Sequence, residues 1–385
     1  MKIVIPKEIS PGETRVAVIP SIVSKFIRDN HEVFVETGAG ISASHADRDY
    51  QSAGAQIVSD VKQAFRTADV LLKVQPPKKE EAEIMREGST YIGFLAPLAN
   101  RATIQQFQLR KITSFSLEFV PRISRAQSMD ALSSMATVGG YKAVLLATEK
   151  MGKMFPLLMT AAGTIPPATV LVLGAGVAGL QAIATAKRLG ARVEAFDPRP
   201  AVKEQVKSLG ATFVEMEMPK DVETTGGYAK EMSAEFLKKE MEAISARLPK
   251  IDVLISTAQV FGKRAPVLVS ADMVKLMRPG TVIVDLAAEQ GGNCELTVAG
   301  QSVERHGVTI IGTLNLPALL PVDASLMYSK NLLNLFQHIY PKQEPNKAAP
   351  APDFSDEIIK GACITRDGEV VNEGVRAALM QGGQS

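Results

Sequence analysis

A glycine-rich turn offers the clearest chemistry in this sequence. Its residues are Gly174-Ala175-Gly176-Val177-Ala178-Gly179, between the apolar stretch TVLVL and the helix-like stretch LQAIATAKRLG. In such a strand–turn–helix the first glycine permits a tight turn, the second lets a phosphate approach the backbone, and the third lets the helix pack closely. The partial positive charge of the helix N-terminus favours an anion there. The motif therefore predicts a dinucleotide pyrophosphate site rather than a glycine turn that only redirects the chain.

An acidic residue follows the turn at the spacing that such sites require. Asp197 ends the stretch RVEAFD, 18 residues after Gly179. A carboxylate at this position accepts hydrogen bonds from the adenosine ribose and disfavours a 2′-phosphate, so the sequence predicts NAD as the preferred cofactor. Arg199 follows after Pro198 and argues for NADP, because an arginine in this loop can hold a 2′-phosphate.

A second polar cluster lies in the stretch PRISRAQSMDALSS, residues 121–134. Asp130 and Ser133 suit the N-cap and first turn of a helix, which is a purely structural role. That role does not explain Arg122, Arg125 and Gln127 immediately before the helix. We therefore predict that this block binds a ligand.

A third feature is Thr224-Thr225-Gly226-Gly227-Tyr228, in a polar insertion between predicted strands. Paired glycines beside a tyrosine suit a lid that closes over a bound ligand. An exposed loop with an incidental tyrosine explains the same residues, and the sequence leaves both interpretations open.

The histidines bear on the class of reaction. An enzyme that oxidises an alcohol or an amine usually needs a general base, most often histidine. The four histidines, at positions 31, 45, 306 and 338, accompany none of the polar clusters in the sequence. Hydride exchange between two nicotinamide rings needs no proton transfer, only close and aligned approach. The histidine pattern favours that chemistry, although a lysine or an aspartate can replace the base.

Composition restricts the class of protein. The chain has 385 residues, of which 46% are hydrophobic and 22% are charged, which suits two globular domains. A net charge of +2 without a basic stripe argues against a nucleic-acid partner. The two cysteines, Cys294 and Cys363, have no metal-ligand spacing, so we predict reduced thiols, no metal site and a cytoplasmic protein without a signal peptide. Residues 154–186 carry no charge, but prolines and glycines interrupt them, so we predict no membrane span.

The elements that must position these residues alternate between short apolar strands and helices. Such alternation predicts an α/β fold with two Rossmann-like, doubly wound parallel sheets and a cofactor cleft between the two domains. The first domain is predicted to comprise 1–130 plus 314–385, and the NAD(H)-binding domain 131–313. The predicted strands cover 2–6, 31–36, 70–74, 90–95, 112–119, 169–174, 192–197, 212–216, 252–256, 281–286 and 309–312.

Helices are predicted at 20–29, 46–53, 60–67, 100–110, 129–150 and 325–339, with Gly139-Gly140 as a weak point in the fifth. Residues 341–352, rich in proline, alanine and lysine, predict a mobile linker. Asp367-Gly368 predicts a hairpin turn in the tail.

Several of these stretches together resemble one family closely. VPRISRAQSMDALSS, TAAGTIPPATVLVLGAGVAGLQAIATAKRLGA, EAFDPRPAVKEQVKSLGA, GGYAKEMS and VIVDLAAEQGGNC are similar to the NAD(H)-binding (alpha) subunit of proton-translocating NAD(P)+ transhydrogenases, over roughly residues 1–340. The resemblance implies direct hydride transfer between NAD(H) on this chain and NADP(H) on a separate subunit. It also implies coupling to proton translocation by a membrane-spanning subunit, a homodimer, and a peripheral position on the cytoplasmic face of the membrane through those partners, without direct insertion.

The resemblance also implies roles for individual residues. The nicotinamide end is expected at Arg122, Gln127, Asp130 and Ser133, with Tyr228 and Gly227 on a mobile loop that closes over the nucleotide. The rest of NAD(H) is expected at Gly174, Ala175, Gly176, Val177, Gly179, Asp197, Pro198 and Arg199. Thr257, Ala258 and Gln259 begin a turn expected near the adenine, and this turn departs from the family's usual T-A-L-I-P-G.

Alanine dehydrogenases are broader relatives and provide the alternative function. Their I-P-K-E…R-V opening is present as Ile5-Pro6-Lys7-Glu8 with Arg15-Val16, and Lys73 matches their substrate-binding lysine. Their catalytic histidine is expected within 94–100, which contains none, and Glu289 replaces their aspartate before Gln-Gly-Gly. An NAD-dependent amino-acid dehydrogenase and a non-catalytic NAD-binding module therefore stay as alternatives.

Overall fold

The computed structural model describes residues 1–215, 234–260, 264–342 and 351–381, and the chain divides into two compact units. The first unit comprises Met1–Met135 and Ala318–Ser385, and the second comprises Ala136–Pro317. Within the described ranges, no helix combines the length and the apolar composition that a membrane span requires.

The first unit opens with six parallel strands that alternate with helices. The strands are β1 (Lys2–Ile5), β2 (Glu32–Glu36), β3 (Gln56–Val58), β4 (Val70–Leu72), β5 (Thr90–Gly93) and β6 (Thr113–Ser116), and the helices are α1 (Pro20–Arg28), α2 (Asp47–Ser52), α3 (Val61–Thr67), α4 (Lys79–Ile84) and α5 (Arg101–Leu109). They pair in the order β3-β2-β1-β4-β5-β6, which is the doubly wound order.

Helix α6 (Ala131–Lys150) carries the chain into the second unit. It runs through Gly139-Gly140 without a break, so the predicted weak point is wrong. A Cβ on Gly140 would lie 2.9 Å from the carbonyl carbon of Ala178, because another helix begins directly against this position. The glycine is thus a close packing contact rather than a helix breaker.

The second unit repeats the doubly wound plan. Its strands are β7 (Leu158–Thr160), β8 (Gly163–Ile165), β9 (Thr169–Leu173), β10 (Arg192–Phe196), β11 (Thr212–Phe213), β12 (Val253–Ser256), β13 (Val282–Asp285), β14 (Ser302–Arg305) and β15 (Val308–Ile311), and its helices are α7 (Val177–Arg188), α8 (Lys203–Ser208), α9 (Ala234–Ser245) and α10 (Ala271–Val274). The sheet order is β11-β10-β9-β12-β13-β15-β14, with only β14 antiparallel.

Strand β9 is the centre of this sheet and is buried on both faces. Val170 and Val172 belong to the core on one face, and Leu171 and Leu173 belong to the core on the other. A strand covered on both sides has a continuous apolar run, as TVLVL does. The chain leaves β9 toward β10 on one side and later returns to β12 on the other, so the carboxyl end of β9 is the switch point where ligands bind in such sheets.

The chain then returns to the first unit. The remaining elements are α11 (Pro321–Ile339), α12 (Glu357–Ala362), β16 (Cys363–Arg366), β17 (Glu369–Val370) and α13 (Glu373–Gln381). Strand β16 adds to β6 antiparallel and pairs with β17, completing an eight-stranded sheet. Asp367 and Gly368 both have positive φ in the connecting turn, so the predicted hairpin is confirmed.

The α/β class and the two parallel sheets are as predicted, and the strand predictions missed three features. These are the short edge strand β3, the β7–β8 hairpin, and the antiparallel strand β14. Each lies at an edge or outside the main sheets, where burial does not impose a strong apolar pattern. Residues 343–350 of the expected linker lie outside the described residues.

Candidate functional site

The glycine turn follows β9 and leads directly into α7. Gly174 has φ +90°, in the left-handed region that favours glycine, and its N–H donates to the carbonyl of Phe196 over 2.8 Å. A Cβ on Gly179 would overlap the carbonyl of Gly174, with only 2.8 Å to its carbon. The backbone therefore requires the first and third glycines for its own packing.

Gly176 is different, because its surroundings are open. A Cβ on Gly176 would have Arg199 Nη2 as its nearest contact, at 3.9 Å. Gly176 is the N-cap of α7, and no side chain caps this helix end. The first N–H groups of a helix have no partner within the helix, so the space above Gly176 suits an anionic group. This cradle fits a pyrophosphate.

Asp197 lies beside the glycine turn, where β10 ends, and it is buried. Its Oδ2 accepts hydrogen bonds from the Ala175 N–H at 2.7 Å and from Arg199 Nη2 at 2.8 Å. Its Oδ1 accepts from the Arg199 N–H at 2.8 Å and from Arg199 Nε at 2.9 Å. The carboxylate expected to receive ribose hydroxyls thus already has four donors, and Arg199 supplies three of them.

A further buried carboxyl belongs to the same region. Glu240 on α9 is 3% exposed, and burial, reinforced by the charge of Asp197, raises its pKa to about 7. No sequence pattern singles this residue out, because a lone glutamate in an amphipathic helix usually faces solvent.

The residues after β12 close the other side of the turn. The Thr257 N–H donates to the Leu173 carbonyl at 2.8 Å, and the Thr257 hydroxyl donates to the Gly174 carbonyl at 3.0 Å. Gln259 Nε2 donates to the Leu286 carbonyl at 3.0 Å. The predicted residues Thr257 and Ala258 therefore adjoin the glycine turn, whereas Gln259 contacts Leu286. Phe261 and Gly262 lie outside the described residues.

Asn293 and Asp285 hold this turn, and the sequence reasoning missed both. The buried Asn293 accepts from the Ala258 N–H at 3.1 Å and donates to the Ala258 carbonyl at 2.8 Å. Asp285, at the end of β13, accepts from the Asn293 N–H at 2.8 Å, the Cys294 N–H at 3.1 Å and the Thr297 hydroxyl at 2.7 Å. The only sequence feature that could have indicated this pair was the position of Asp285 at the end of a buried strand.

The second polar cluster lies in the first unit. Asp130 precedes α6, and its Oδ1 and Oδ2 accept from the Ser133 N–H at 2.9 Å and the Ser133 hydroxyl at 2.6 Å. Asp130 therefore has the helix-capping role that the sequence allowed, and Ser133 in the first turn is its donor. Arg122 and Gln127 are exposed.

Arg125, in the same block, binds the C-terminal segment. Its Nη1 lies 2.8 Å from Asp356 Oδ2, and its Nη2 lies 3.0 Å from Glu357 Oε1. His338 Nε2 lies 2.9 Å from Asp356 Oδ1. His338 thus contacts the partner of Arg125 rather than a residue of the predicted clusters, and this contact across 18 residues is invisible in the linear sequence.

Two buried cations of the first unit are neutralised by the chain itself. Lys73 Nζ lies 2.8 Å from Glu81 and 3.7 Å from Glu8, and Arg15 binds Glu13 through Nε at 2.8 Å and Nη2 at 2.6 Å. Burial raises the pKa of Glu8 to about 7, although Lys73 opposes the shift. Burial also opposes ionisation of Glu13, but its bonds with Arg15 lower its pKa to about 2.

Gly227 and Tyr228, expected on a mobile loop, lie outside the described residues. The other predicted residues form two groups. Those from Gly174 to Gly179, with Asp197, Pro198, Arg199 and Thr257 to Gln259, belong to the second unit. Those from Arg122 to Ser133 lie along one segment of the first unit.

Comparisons with known proteins agree on one family. The family described as alanine dehydrogenase/PNT matches through its N-terminal domain at residues 4–139 and through its C-terminal domain at residues 143–373. An NAD(P) transhydrogenase subunit alpha chain of Rhodospirillum rubrum is 49% identical over 97% of this chain and 98% of its own length. A crystal structure of transhydrogenase from Sinorhizobium meliloti superposes with a TM-score of 0.86 at 40% identity, covering 96% of this chain and 100% of that one. Alanine dehydrogenase of Bacillus subtilis is 30% identical over 98% of this chain and 95% of its own.

Proposed function

The chain belongs to the alanine dehydrogenase/PNT family, and on that premise we propose that it is the NAD(H)-binding subunit of a proton-translocating transhydrogenase. Hydride then passes directly between NAD(H) on this chain and NADP(H) on a partner subunit. The observation that carries the proposal is the open cradle at Gly176, at the switch point of the second sheet. Sequence identity to a transhydrogenase alpha subunit over nearly the whole chain supports the same conclusion.

In this proposal each group of residues has its own role toward the nucleotide. The glycine turn holds the pyrophosphate against the N-terminus of α7, and Asp197 receives the adenosine ribose once Arg199 turns away from it. Arg122, Gln127, Asp130, Ser133 and Tyr228 orient the nicotinamide end. The bound nicotinamide supplies or accepts the hydride, so these residues need to fix its position rather than move a proton.

The ion pairs in the first unit argue against the amino-acid dehydrogenase. An enzyme of that kind needs free cationic side chains for the substrate carboxylate. Lys73 and Arg15 are instead engaged by Glu81, Glu8 and Glu13, and Lys73 and Arg15 are buried. An added carboxylate would have to displace these internal partners, so we expect no turnover of L-alanine.

We also propose that the chain forms a homodimer through the β7–β8 hairpin. These two strands pair only with each other among the described strands, and a hairpin alone is marginally stable in water. Met159 on β7 is 80% exposed, and Leu157, just before β7, is 53% exposed. Exposed apolar patches of this kind mark protein interfaces. Separate membrane-spanning and NADP(H)-binding subunits complete the proposed assembly, hold this chain at the cytoplasmic face of the membrane, and couple the transfer to proton movement.

The central test is reduction of an NAD analogue by NADPH. This chain and a purified NADP(H)-binding transhydrogenase domain are mixed, and each is omitted in turn. Activity is expected only when both are present. If the mixture is inactive although NADH binds, the transhydrogenase assignment is wrong. Oxidation of L-alanine by NAD would then support the dehydrogenase, and its absence would support a non-catalytic module.

The dimer is tested by analytical ultracentrifugation of Met159→Asp. A charge in a buried apolar interface is costly, so the variant is expected to sediment as a monomer. Leu109→Asp is the matched control, because Leu109 is 73% exposed but lies outside the hairpin. Dimeric Met159→Asp, or monomeric wild-type protein, would exclude this interface.

A further inference from the structure

The C-terminal segment carries two carboxylates that reach back to the block at 122–130. Asp356 and Glu357 both bind Arg125, at 2.8 and 3.0 Å. Asp356 also caps α12, since its Oδ1 accepts from the Ile358 N–H at 2.8 Å and the Ile359 N–H at 3.1 Å. The carboxylate that holds Arg125 is therefore itself fixed to a helix end.

The C-terminal segment is itself attached to the sheet through β16, so it can hold residues 122–130 in a fixed position. Cys363 on β16 pairs with Phe115 on β6, and the Thr365 N–H donates to Ser114 Oγ at 3.2 Å. Gly361 packs against Pro121, at the start of the stretch 121–134, because a Cβ on Gly361 would lie 2.7 Å from Pro121 Cγ. The segment thus contacts this part of the chain at Pro121 and at Arg125.

Helix α11 holds the same block from another element. Asn331 Nδ2 and Asn334 Nδ2 both donate to the Ser128 carbonyl, at 2.9 and 3.0 Å. Between these attachments the block forms a 3₁₀ turn, Ser124–Met129, whose hydrogen-bond geometry is intrinsically poor. Its conformation therefore depends on partners outside the block.

We propose that Asp356 and Glu357 are positioning residues, which fix the backbone that carries Arg122 and Gln127 at the nicotinamide end of the site. This inference rests on the proposed function. Arg122 and Gln127 lie at the surface, so their positions depend on how precisely the backbone that carries them is held. A misplacement of about 1 Å in a residue that orients a reactant can cost about 100-fold in rate.

The test is the double variant Asp356→Asn/Glu357→Gln in the full chain. Asparagine is as good an N-cap as aspartate, so α12 is retained while the charge pairing with Arg125 is lost. The Arg125 side chain is half exposed, and exposed ion pairs add little to global stability, so the melting temperature is expected to stay nearly constant. Asp353→Asn is the matched control, since Asp353 lies on the same segment and accepts hydrogen bonds from the N–H and hydroxyl of Ser355 rather than from the block.

Three measurements separate positioning from a structural role. Hydrogen exchange of peptides covering 122–130, without nucleotide, is expected to quicken about two- to fivefold in the double variant, because an exposed ion pair contributes up to about 1 kcal/mol against local opening. Hydride transfer is expected to fall about tenfold or more, and the dissociation constant for NADH to change less than about twofold. Gly361→Ala, which displaces Pro121 without a change of charge, is expected to produce the same pattern.

Gln127→Ala distinguishes the failure of this inference from failure of the proposed function. If Gln127→Ala loses transfer while the double variant matches Asp353→Asn in exchange and transfer, the positioning inference is overturned and the proposed site stands. If Gln127→Ala leaves transfer intact, the proposed nicotinamide-end role is wrong, and the exchange data alone then decide whether Asp356 and Glu357 hold the block.

Discussion

Replacing Gly176 by alanine separates the role of the glycine turn in binding from its role in folding. The added methyl enters open space, with Arg199 Nη2 as its nearest neighbour at 3.9 Å. Alanine is a poorer N-cap than glycine by about 0.5 kcal/mol, but it also restricts the unfolded chain by a similar amount. We therefore expect the melting temperature of Gly176→Ala to stay close to that of the wild type.

Binding is expected to respond differently, because the methyl fills the space through which a phosphate must approach the backbone. Each hydrogen bond to a charged group contributes about 1.5–3 kcal/mol. Loss of one such bond corresponds to a rise of about 10- to 100-fold in the dissociation constant for NADH. Isothermal titration calorimetry measures this change directly.

Gly179→Ala is the opposite case and provides the comparison. Its Cβ would overlap the Gly174 carbonyl, with 2.8 Å to the carbonyl carbon, and backbone atoms cannot move aside cheaply. Overpacking of this kind costs about 3 kcal/mol, which lowers the melting temperature of a unit of this size by roughly 6–12 °C.

Gly152→Ala is the control for both variants, since a Cβ at that position has no neighbour within 4 Å. We expect it to leave both stability and affinity unchanged. The reasoning fails if Gly176→Ala binds NADH as tightly as Gly152→Ala does, or if Gly179→Ala melts at the same temperature as Gly152→Ala.

Three further predictions concern charges. The pKa of Glu240 is about 7 in the folded protein, compared with 4.5 for an ordinary glutamate, so the folded state binds this proton more tightly than the unfolded state does. The folded state therefore loses stability as the pH rises from about 4.5 to 7. Glu240→Gln should therefore raise the free energy of unfolding by about 2 kcal/mol at pH 8 but not at pH 4, measured by urea denaturation, and an equal effect at both pH values would contradict this. Lys73→Met leaves Glu8 and Glu81 without their cation, so urea denaturation at pH 8 should show a loss of about 3 kcal/mol, whereas an unchanged midpoint would mean that the pairing is dispensable. Asp197→Ala should weaken NADH binding about tenfold in calorimetry, and an unchanged dissociation constant would refute the ribose assignment.

Local sequence patterns were enough to locate the glycine turn. Gly174 and Gly179 are required by a positive φ and by a close approach within a few residues, so the spacing alone reveals them. The strand that precedes them is buried on both faces and is visible in the sequence as an unbroken apolar run. Asp130 likewise caps the helix that begins at the next residue, with the N–H and hydroxyl of Ser133 as its donors.

Contacts between distant residues were decided only by the tertiary structure. The pairing of Arg125 with Asp356 spans 231 residues, and nothing in either neighbourhood specifies the other. Asn293 binds Ala258 across 35 residues, and the partners of Lys73 place a residue that matches a substrate-binding lysine in internal ion pairs.

Even the pairing of neighbours depended on the fold. Asp197 and Arg199 were both visible in the sequence as competing indications of NAD and NADP. The structure shows that Arg199 binds Asp197 and that the Asp197 carboxylate is buried beside the glycine turn. Burial favours this pairing because water no longer competes for the lone pairs of the carboxylate. The sequence by itself therefore determined the fold class and the position of the glycine turn, where the interactions are local and repeat with the period of the backbone. The tertiary structure decided which charges are free to meet a ligand, because that depends on partners brought together from distant parts of the chain.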